Sequence, residues 1–315
     1  MSTPTMPDES SSPREGARRL HLPSTLRRAE LLARWGRDAN SATERVEGVR
    51  AGFAVAAPNG PIGLVLDLSA SDAVDIRWSW ARTVASAPEP SAIERIARRL
   101  LGLHIDPAEF EAQARRIGHG RLVEGREGLT PPLEPTLWDA LVWVVVGQQV
   151  SLPVAFLQRR RLAGEHGESV ELELGAGETT RLSTVPGPAV VARLDAEQLR
   201  ACGLSRRKAE YLGDMARALV SGDFDLEALA SSPRQQRREA LLARRGLGPW
   251  SVGYLDLRAF GDPDAVPLGD AGLRRALRRY FDLDEAPSRD RVAELLTPFA
   301  PWRSLATFHF WAGFA

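Results

Sequence analysis

Residues 239–280, EALLARRGLGPWSVGYLDLRAFGDPDAVPLGDAGLRRALRRY, form the stretch of this chain that decides its fold. The pattern predicts a helix that ends near Leu242, a glycine hairpin at 246–249, a second helix, and a short loop that leads to Asp270. Pro249 suits the first position of the second helix, where its missing N–H costs no hydrogen bond. Apolar residues recur at helical spacing after Asp270, which predicts that a third helix begins there.

The hairpin and Asp270 together indicate chemistry on a nucleic acid. Gly246 and Gly248 leave backbone N–H groups uncovered at a helix N-terminus, which is a ready site for a phosphate. A carboxylate beside a bound phosphodiester is electrostatically unfavourable unless it has a chemical task. The combination therefore predicts an enzyme that acts on nucleic acid, although the same glycines would also serve in a purely structural turn.

Further segments accompany the hairpin, and the order of all of them is informative. They are Gly-Gln-Gln-Val-Ser at 147–151, Gly-Leu-Ser-Arg-Arg-Lys-Ala at 203–209, Gly-Leu-Gly-Pro-Trp-Ser at 246–251 with Pro-Asp-Ala-Val-Pro at 263–267 and Asp-Ala-Gly-Leu-Arg at 270–274, and Pro-Trp-Arg-Ser at 301–304 with Phe310-Trp311. A lone Gly-x-Gly hairpin is a weak signal, but these four elements in this order resemble the 3-methyladenine DNA glycosylase II family. That family lies within the helix-hairpin-helix–Gly/Pro–Asp superfamily of DNA glycosylases, and the resemblance covers residues 130–315.

The resemblance implies that Asp270 is the catalytic carboxylate. In that role it would stabilise an oxocarbenium-like sugar or activate the water that attacks the anomeric carbon, by the logic of glycoside hydrolysis. Position alone favours a simpler interpretation, in which Asp270 is only the N-cap of the helix that follows. The two roles are compatible, because an N-cap orients its carboxylate.

The resemblance also implies that Trp250 and Trp311 line an aromatic base pocket, and Tyr254, four residues after Trp250 on the same helical face, is expected to join them. Alkylated purines such as 3-methyladenine carry positive charge, and a cation desolvated against an indole face gains ~2 kcal/mol. The alternative is that all three side chains are ordinary core aromatics. Bifunctional members of the superfamily carry a Schiff-base lysine at the position of Trp250. The hairpin has no lysine, so simple hydrolysis without lyase activity is expected.

DNA contacts are expected from Gln149 and from the hairpin residues Gly246, Leu247 and Gly248. Enzymes of this kind flip the target nucleotide out of the duplex, and the resemblance places Gln149 where a side chain fills the gap. The alternative is that Gln148 and Gln149 form a polar pair that satisfies backbone groups at a helix end.

Composition excludes several kinds of cofactor. The single cysteine, Cys202, rules out an internal disulfide and a cysteine-ligated iron–sulfur cluster, and it fits a reducing cytoplasm. With five scattered histidines, no metal site held by side chains is expected. The hydrolysis needs no cofactor, and the resemblance implies only a structural Na⁺ or K⁺ ion at backbone carbonyls of the hairpin. No apolar run is long enough for a membrane span.

The distribution of charge is more informative than its total, which is zero. Residues 233–280 contain ten arginines and five acidic residues, a local balance of +5 centred on the hairpin. Clustering of this kind suits phosphate contact. The alternative is an arginine-rich composition on solvated helix faces.

The predicted fold class is α+β, mostly α, with three parts. Residues 1–20 are expected to be a disordered tail, residues 21–115 a small antiparallel-sheet domain with a covering helix, and residues 116–315 an all-helical helix-hairpin-helix glycosylase domain. The apolar, β-branched run 141–146 favours a buried strand by local propensity, whereas the resemblance makes it a buried helix.

These observations predict a monofunctional DNA glycosylase of base-excision repair that hydrolyses the N-glycosidic bond of alkylated purines and leaves an abasic site. Its expected partner is damaged double-stranded DNA, and the protein is expected to be a monomer of the cytoplasm, associated with the nucleoid. Two alternatives remain: a non-catalytic helix-hairpin-helix DNA-binding protein, or the same mechanism on uracil, hypoxanthine or an oxidised purine.

Overall fold

The computed structural model describes residues 14–81, 86–175 and 179–314. Its architecture is α+β and mostly helical, with an antiparallel sheet followed by a helical domain, so the predicted fold class is confirmed. Residues 1–13 of the predicted tail lie outside the described residues. The tail ends before residue 20, because Arg14–His21 forms a strand that pairs along its whole length with Ala73–Trp80.

Five antiparallel strands form the N-terminal sheet in the order β1-β5-β4-β3-β2. Apolar side chains alternate along β5, where Val74, Ile76, Trp78 and Trp80 face one core. Two helices, α1 and α2, cover that face. The elements of this domain are β1 (Arg14–His21), α1 (Arg28–Trp35), β2 (Glu44–Glu47), β3 (Arg50–Ala57), β4 (Gly60–Asp67), β5 (Ala73–Trp80) and α2 (Pro90–Leu100).

The other face of the sheet is covered by a hairpin of β6 (Ser169–Glu173) and β7 (Thr179–Ser183). Strands β4 and β6 approach each other closely, since a Cβ at Gly63 of β4 would lie 2.2 Å from Leu172 Cδ2 of β6. The prediction that residues 116–315 are all helical is therefore wrong for this β6–β7 hairpin. Its strands have five residues each, and such short segments give a weak periodic signal.

Helices build the second domain around a separate core. The apolar run 141–146 lies within helix α4, where every residue of the run except Trp143 is buried, so the helical interpretation of that run is confirmed. Tertiary packing on all sides overrides its β-branched propensity. The helices are α3 (Ala108–Arg116), α4 (Leu137–Gly147), α5 (Leu152–His166), α6 (Pro188–Val191), α7 (Ala196–Ala201), α8 (Arg206–Ser221), α9 (Leu226–Ala230), α10 (Arg234–Leu242), α11 (Pro249–Arg258), α12 (Ala271–Tyr280), α13 (Arg289–Leu296) and α14 (Arg303–Phe314).

The boundary between the two domains differs from the expected one. Helix α3 contains residue 115, where the boundary is predicted, and its Phe110 and Ala114 belong to the same core as Leu273 of α12 and Phe310 of α14. By its contacts α3 therefore joins the second domain. Among the residues described, no helix has the length and apolar character that crossing a bilayer requires.

Candidate active site

Asp270 is the N-cap of α12, and its Oδ1 atom accepts a hydrogen bond of 2.7 Å from the backbone N–H of Leu273. Gly269 precedes it with a φ of 92°, a left-handed conformation that glycine adopts without strain. The sharp turn at Gly269 presents the carboxylate at the end of the loop 261–269. The N-cap interpretation is thus correct for the backbone, and it leaves Oδ2 of Asp270 directed elsewhere.

Two tryptophans hold the Asp270 carboxylate, one on each oxygen. Trp311 Nε1 donates to Oδ1 at 3.0 Å, and Trp250 Nε1 donates to Oδ2 at 3.0 Å. Gly272 leaves room for this arrangement, since a Cβ at that position would lie 3.2 Å from Asp270 Oδ1 and 3.6 Å from Trp311 Nε1. All of the neighbours that bond to the carboxylate are donors, which is the environment that suits an anion.

Tyr254 stands between the two indoles, so the three predicted pocket aromatics lie together. Its ring centroid is 5.6 Å from that of Trp250 and 6.1 Å from that of Trp311, with tilted planes. Trp143 of α4 donates from Nε1 to the Tyr254 hydroxyl at 2.9 Å. All four side chains are partly exposed rather than sealed in a core. Sequence reasoning missed Trp143, because it stands inside the apolar run of α4 with nothing to mark it.

An ion-pair network holds the loop that carries Asp270. Arg237 of α10 donates to Asp256 and to Asp262, each at 2.9 Å, and all three side chains are buried. Arg303, the first residue of α14, pairs with Asp264 through two nitrogens. Paired charges of this kind fix geometry, since breaking one pair leaves an uncompensated buried charge. The network therefore fixes α10, α11, the loop and α14, which carry the carboxylate and both indoles.

The hairpin has one structural glycine and one open glycine. Gly246 adopts a φ of 93°, and a Cβ there would lie 2.5 Å from the Tyr211 ring, so this position requires glycine. Gly248 is the N-cap of α11, and a Cβ there would meet no atom within 4 Å among the described residues. Pro249 occupies the first helical position, as predicted. The open side of Gly248 gives an outside group access to the N-terminus of α11.

The two glutamines after α4, Gln148 and Gln149, have different surroundings. Gln148 Nε2 donates to the Gly246 carbonyl at 2.8 Å and to Ser251 Oγ at 3.1 Å, so it ties the end of α4 to the hairpin. Gln149 is exposed and has a φ of 53°, which is unusual for a residue other than glycine. The polar-pair interpretation describes Gln148, and Gln149 is left projecting beside the hairpin.

Lys208 binds the end of α4, just before Gln148 and Gln149. Its Nζ atom is buried and donates to the Val146 carbonyl at the end of α4 at 2.7 Å, with Gln158 Oε1 at 3.4 Å. Burial lowers the pKa of Lys208 to about 8. Ser205 is the N-cap of α8, the helix that carries Lys208. Sequence reasoning missed the contact of Lys208, because a lysine in the first turn of a helix gives no signal of burial.

Three alternate carbonyl oxygens at the hairpin are free of hydrogen bonds within the described residues. In the part of the chain that is described, the carbonyl oxygens of Ala243, Arg245 and Leu247 accept no hydrogen bond, whereas that of Gly246 is taken by Gln148. Hard cations prefer oxygen ligands such as these. These oxygens are available to a ligand, and the Na⁺ or K⁺ ion that the resemblance implies stays a prediction.

One side-chain cluster has the composition of a metal site. Glu165, His166 and Cys202 present ligand atoms within 4.8 Å of one another. Burial and the nearby Glu165 raise the pKa of Cys202 to about 12. Its thiol therefore stays protonated, and a thiol is a poor metal ligand compared with a thiolate.

Comparison with known proteins gives the family of this chain. The family model of the HhH-GPD superfamily base excision DNA repair proteins matches residues 142–301, which include the hairpin and Asp270. The chain belongs to this superfamily. Its fold is that of the 3-methyladenine DNA glycosylase from Archaeoglobus fulgidus, with a TM-score of 0.76, 21% identity, and coverage of 93% of this chain and 96% of that one.

Curated members of the superfamily share more sequence with this chain. The DNA-3-methyladenine glycosylase of Bacillus subtilis (strain 168) is 29% identical over 177 residues, which are 56% of this chain and 57% of that protein. The DNA-3-methyladenine glycosylase 2 of Escherichia coli (strain K12) is 28% identical over 225 residues, 71% of this chain and 73% of that protein. The chain thus spans less than two thirds of the length of the Bacillus subtilis relative.

Proposed function

We propose that this chain is a DNA glycosylase of base-excision repair that hydrolyses the N-glycosidic bond of alkylated purines in duplex DNA. The observation that supports this best is the carboxylate of Asp270 held by Trp250 and Trp311. A protein that only binds DNA has no need for an oriented carboxylate between indoles. The named activity of the relatives, release of 3-methyladenine, supports alkylated purines as the substrate class.

The proposed mechanism uses Asp270 as an electrostatic stabiliser and base. As the bond between the anomeric carbon and the purine nitrogen breaks, its electron pair leaves with the base and positive charge develops on the sugar. Asp270 stabilises that charge and accepts a proton from the water whose oxygen bonds to the anomeric carbon. Trp250 and Trp311 hold the carboxylate in place before the reaction, which removes the cost of reorienting it.

The hydrolysis is proposed to proceed without lyase chemistry. Trp250 occupies the position where a Schiff-base lysine would stand, and Lys208 is the only lysine in the chain. Lys208 is buried and bonded to the Val146 carbonyl, so its amine is unavailable to a sugar. The product is then an intact strand with an abasic site.

DNA binding is proposed at the hairpin and at Gln149. Backbone N–H groups at the open side of Gly248 would hold a phosphate, with Leu247 against the backbone, and a Na⁺ or K⁺ ion at the hairpin carbonyls would add positive charge there. The exposed Gln149, beside the hairpin, would fill the gap left by the flipped nucleotide. We propose a monomer in the cytoplasm that needs no redox cofactor.

The experiment that tests this function measures free bases released from methylated duplex DNA by the wild-type chain and by Asp270→Asn. Asparagine is also a good N-cap, so the variant keeps α12 capped and the fold intact. We expect methylpurine release to fall by about two to four orders of magnitude while damaged duplex is still bound. Release near the wild-type rate would refute the catalytic role of Asp270 and leave it as a cap.

A further inference from the structure

Arg289, the first residue of α13, lies against the turn that presents Asp270. A Cβ at Gly269, the residue before Asp270, would lie 3.1 Å from Arg289 Nε, 3.5 Å from its Nη2 and 3.6 Å from its Cζ. The guanidinium therefore covers Gly269 in the space where any other residue would have a side chain. Glycine at this position serves both the left-handed backbone and the arginine.

The first turn of α12 holds Arg289 in this place. Arg274 Nε donates to the Pro287 carbonyl at 2.7 Å, and its Nη2 donates to the Ala286 carbonyl at 3.3 Å. These bonds tie the segment just before α13 to the helix that Asp270 caps. The start of α13 is thus held beside the carboxylate by bonds within the protein, and Arg289 comes with it.

Nothing in the folded chain engages the charge of Arg289. Its side chain is exposed, and within residues 14–81, 86–175 and 179–314 it has neither an acidic partner nor a hydrogen-bond acceptor. The oxygens of Asp270 accept hydrogen bonds from other groups, as described above. A cation in the first turn of a helix also opposes the helix dipole, so the charge does not stabilise α13. The guanidinium is therefore available to an anion from outside.

The proposed substrate brings anions to this place. A sugar whose anomeric carbon faces Asp270 is linked to a phosphate on each side, and a carboxylate close to a phosphodiester is repelled by it. The N–H groups at Gly248 are separated from Asp270 by the Trp250 side chain, which extends from the first turn of α11 to the carboxylate. Arg289, in contrast, lies at the residue adjacent to Asp270.

We propose that Arg289 binds a phosphate next to the flipped nucleotide and offsets the repulsion between that phosphate and Asp270. A guanidinium donates two parallel N–H bonds to the oxygens of a phosphate. The paired arginine and phosphate are together close to neutral, so the Asp270 carboxylate remains the net charge that faces the anomeric carbon. This inference rests on the proposed glycosylase function and adds to it a contact with the damaged strand.

Binding to a duplex that contains tetrahydrofuran, an uncleavable analogue of an abasic site, tests the contact without any bond cleavage. Arg289→Gln should bind about tenfold more weakly at low salt, the loss expected of one charge-assisted contact. The slope of log affinity against log salt concentration should become shallower by about one. Arg289→Lys, which keeps the charge without the fork, should keep the slope and only part of the affinity.

Arg291→Gln is the matched control. Arg291 lies in the first turn of the same helix, is also exposed, and is already paired with Glu294 at 2.8 Å. Its substitution changes the net charge of the protein by the same amount and should leave binding as in the wild type. Equal losses in the two variants would overturn the proposal, because they would come from net charge. Affinity and slope that are unchanged in Arg289→Gln would overturn it as well.

Neutral methylphosphonate linkages identify the phosphate that Arg289 binds. Each of the two phosphates that flank the tetrahydrofuran is replaced in turn, in separate duplexes. One of these replacements should weaken binding of the wild type about tenfold more than binding of Arg289→Gln, in which the contact is already lost. If both replacements cost the two proteins the same, Arg289 does not touch a flanking phosphate and the proposal fails.

The outcome for this inference is separate from the outcome for hydrolysis. A coupled loss between Arg289 and one flanking phosphate would support the inference even if no base were released from methylated DNA, a result that would refute the glycosylase function alone. Release of methylpurines together with binding that is insensitive to Arg289→Gln would overturn the inference and leave the glycosylase function standing.

Discussion

Gly253 of α11 touches the loop that leads to Asp270, and a Cβ at Gly253 would lie 2.2 Å from the carbonyl oxygen of Val266. No side chain fits between the two backbones. The contact sets the distance between α11, which carries Trp250, and the loop 261–269, which ends at Asp270. The 3.0 Å hydrogen bond from Trp250 to Asp270 therefore depends on the glycine at position 253.

Gly253→Ala should separate α11 from the loop and impair catalysis. The added methyl group meets backbone atoms, which must shift, and overpacking of this kind costs about 1–3 kcal/mol. A displacement of about 1 Å at a reacting centre can reduce the rate about a hundredfold. The measurements are the free energy of unfolding in urea and the rate of base release.

Gly164→Ala is the control for that variant. Gly164 is also helical, in α5, and a Cβ there would meet no described atom within 4 Å. It should stabilise the chain by up to about 1 kcal/mol through helix propensity alone and leave base release unchanged. If Gly253→Ala behaved like Gly164→Ala, the close approach would not position the site.

The local part of the site is the part that the sequence could predict. Three local signals lie within 25 residues of one another: the glycine hairpin, the proline at the first turn of α11 and the cap at Asp270. Each of them is predictable because the backbone at that position favours a particular residue type. The helical interpretation of residues 141–146 needed the family resemblance, because β-branched residues buried on every side carry no helical period.

The rest of the site depends on contacts between residues distant in sequence. Trp311 and Asp270 are 41 positions apart, and Trp143 and Tyr254 are 111 apart, so only the packed fold brings each pair together.

Gly248→Val should weaken binding to every DNA sequence alike. The valine side chain has room in the free protein, so a loss of affinity would come from the DNA backbone that approaches the N-terminus of α11. Binding of the wild type should fall steeply with salt, through release of counterions. Titration of labelled duplexes at two salt concentrations measures both effects.

Gly187→Val is the matched control for the hairpin variant. Gly187 also caps a helix, also precedes a proline and also has open space around its Cβ position in the described structure. It should bind DNA like the wild type. Equal losses in the two variants, or binding that is insensitive to salt, would contradict phosphate contact at the hairpin.

His309 should make the stability of the chain fall in mild acid. Its side chain is fully buried, burial lowers its pKa from 6.5 to about 4, and the Leu122 and Leu129 carbonyls oppose that shift. Below pH 6.5 the unfolded chain takes up a proton that the folded chain resists until about pH 4. Stability is therefore lost as pH falls through this window, by up to about 1.4 kcal/mol per pH unit.

Urea unfolding at pH 7.5 and pH 5 measures this dependence. His309→Gln removes the titrating group, so the difference in unfolding free energy between the two pH values should shrink by about 2 kcal/mol. The variant is expected to be less stable at pH 7.5 because it repacks a buried site. An unchanged difference between the two pH values would show that His309 does not cause the acid sensitivity.

The single lysine of the chain permits a decisive test of lyase chemistry. Treatment of a reaction with borohydride should trap no covalent protein–DNA adduct, and the strand should stay unbroken until alkali is added, because the only lysine amine is buried at the Val146 carbonyl. Trp250→Lys supplies an amine at the Schiff-base position and should produce a trapped adduct.

An adduct with the wild type that disappears in Lys208→Arg would assign lyase activity to Lys208. An adduct that persists in Lys208→Arg would assign it to the N-terminal amine, and either adduct would refute the monofunctional mechanism.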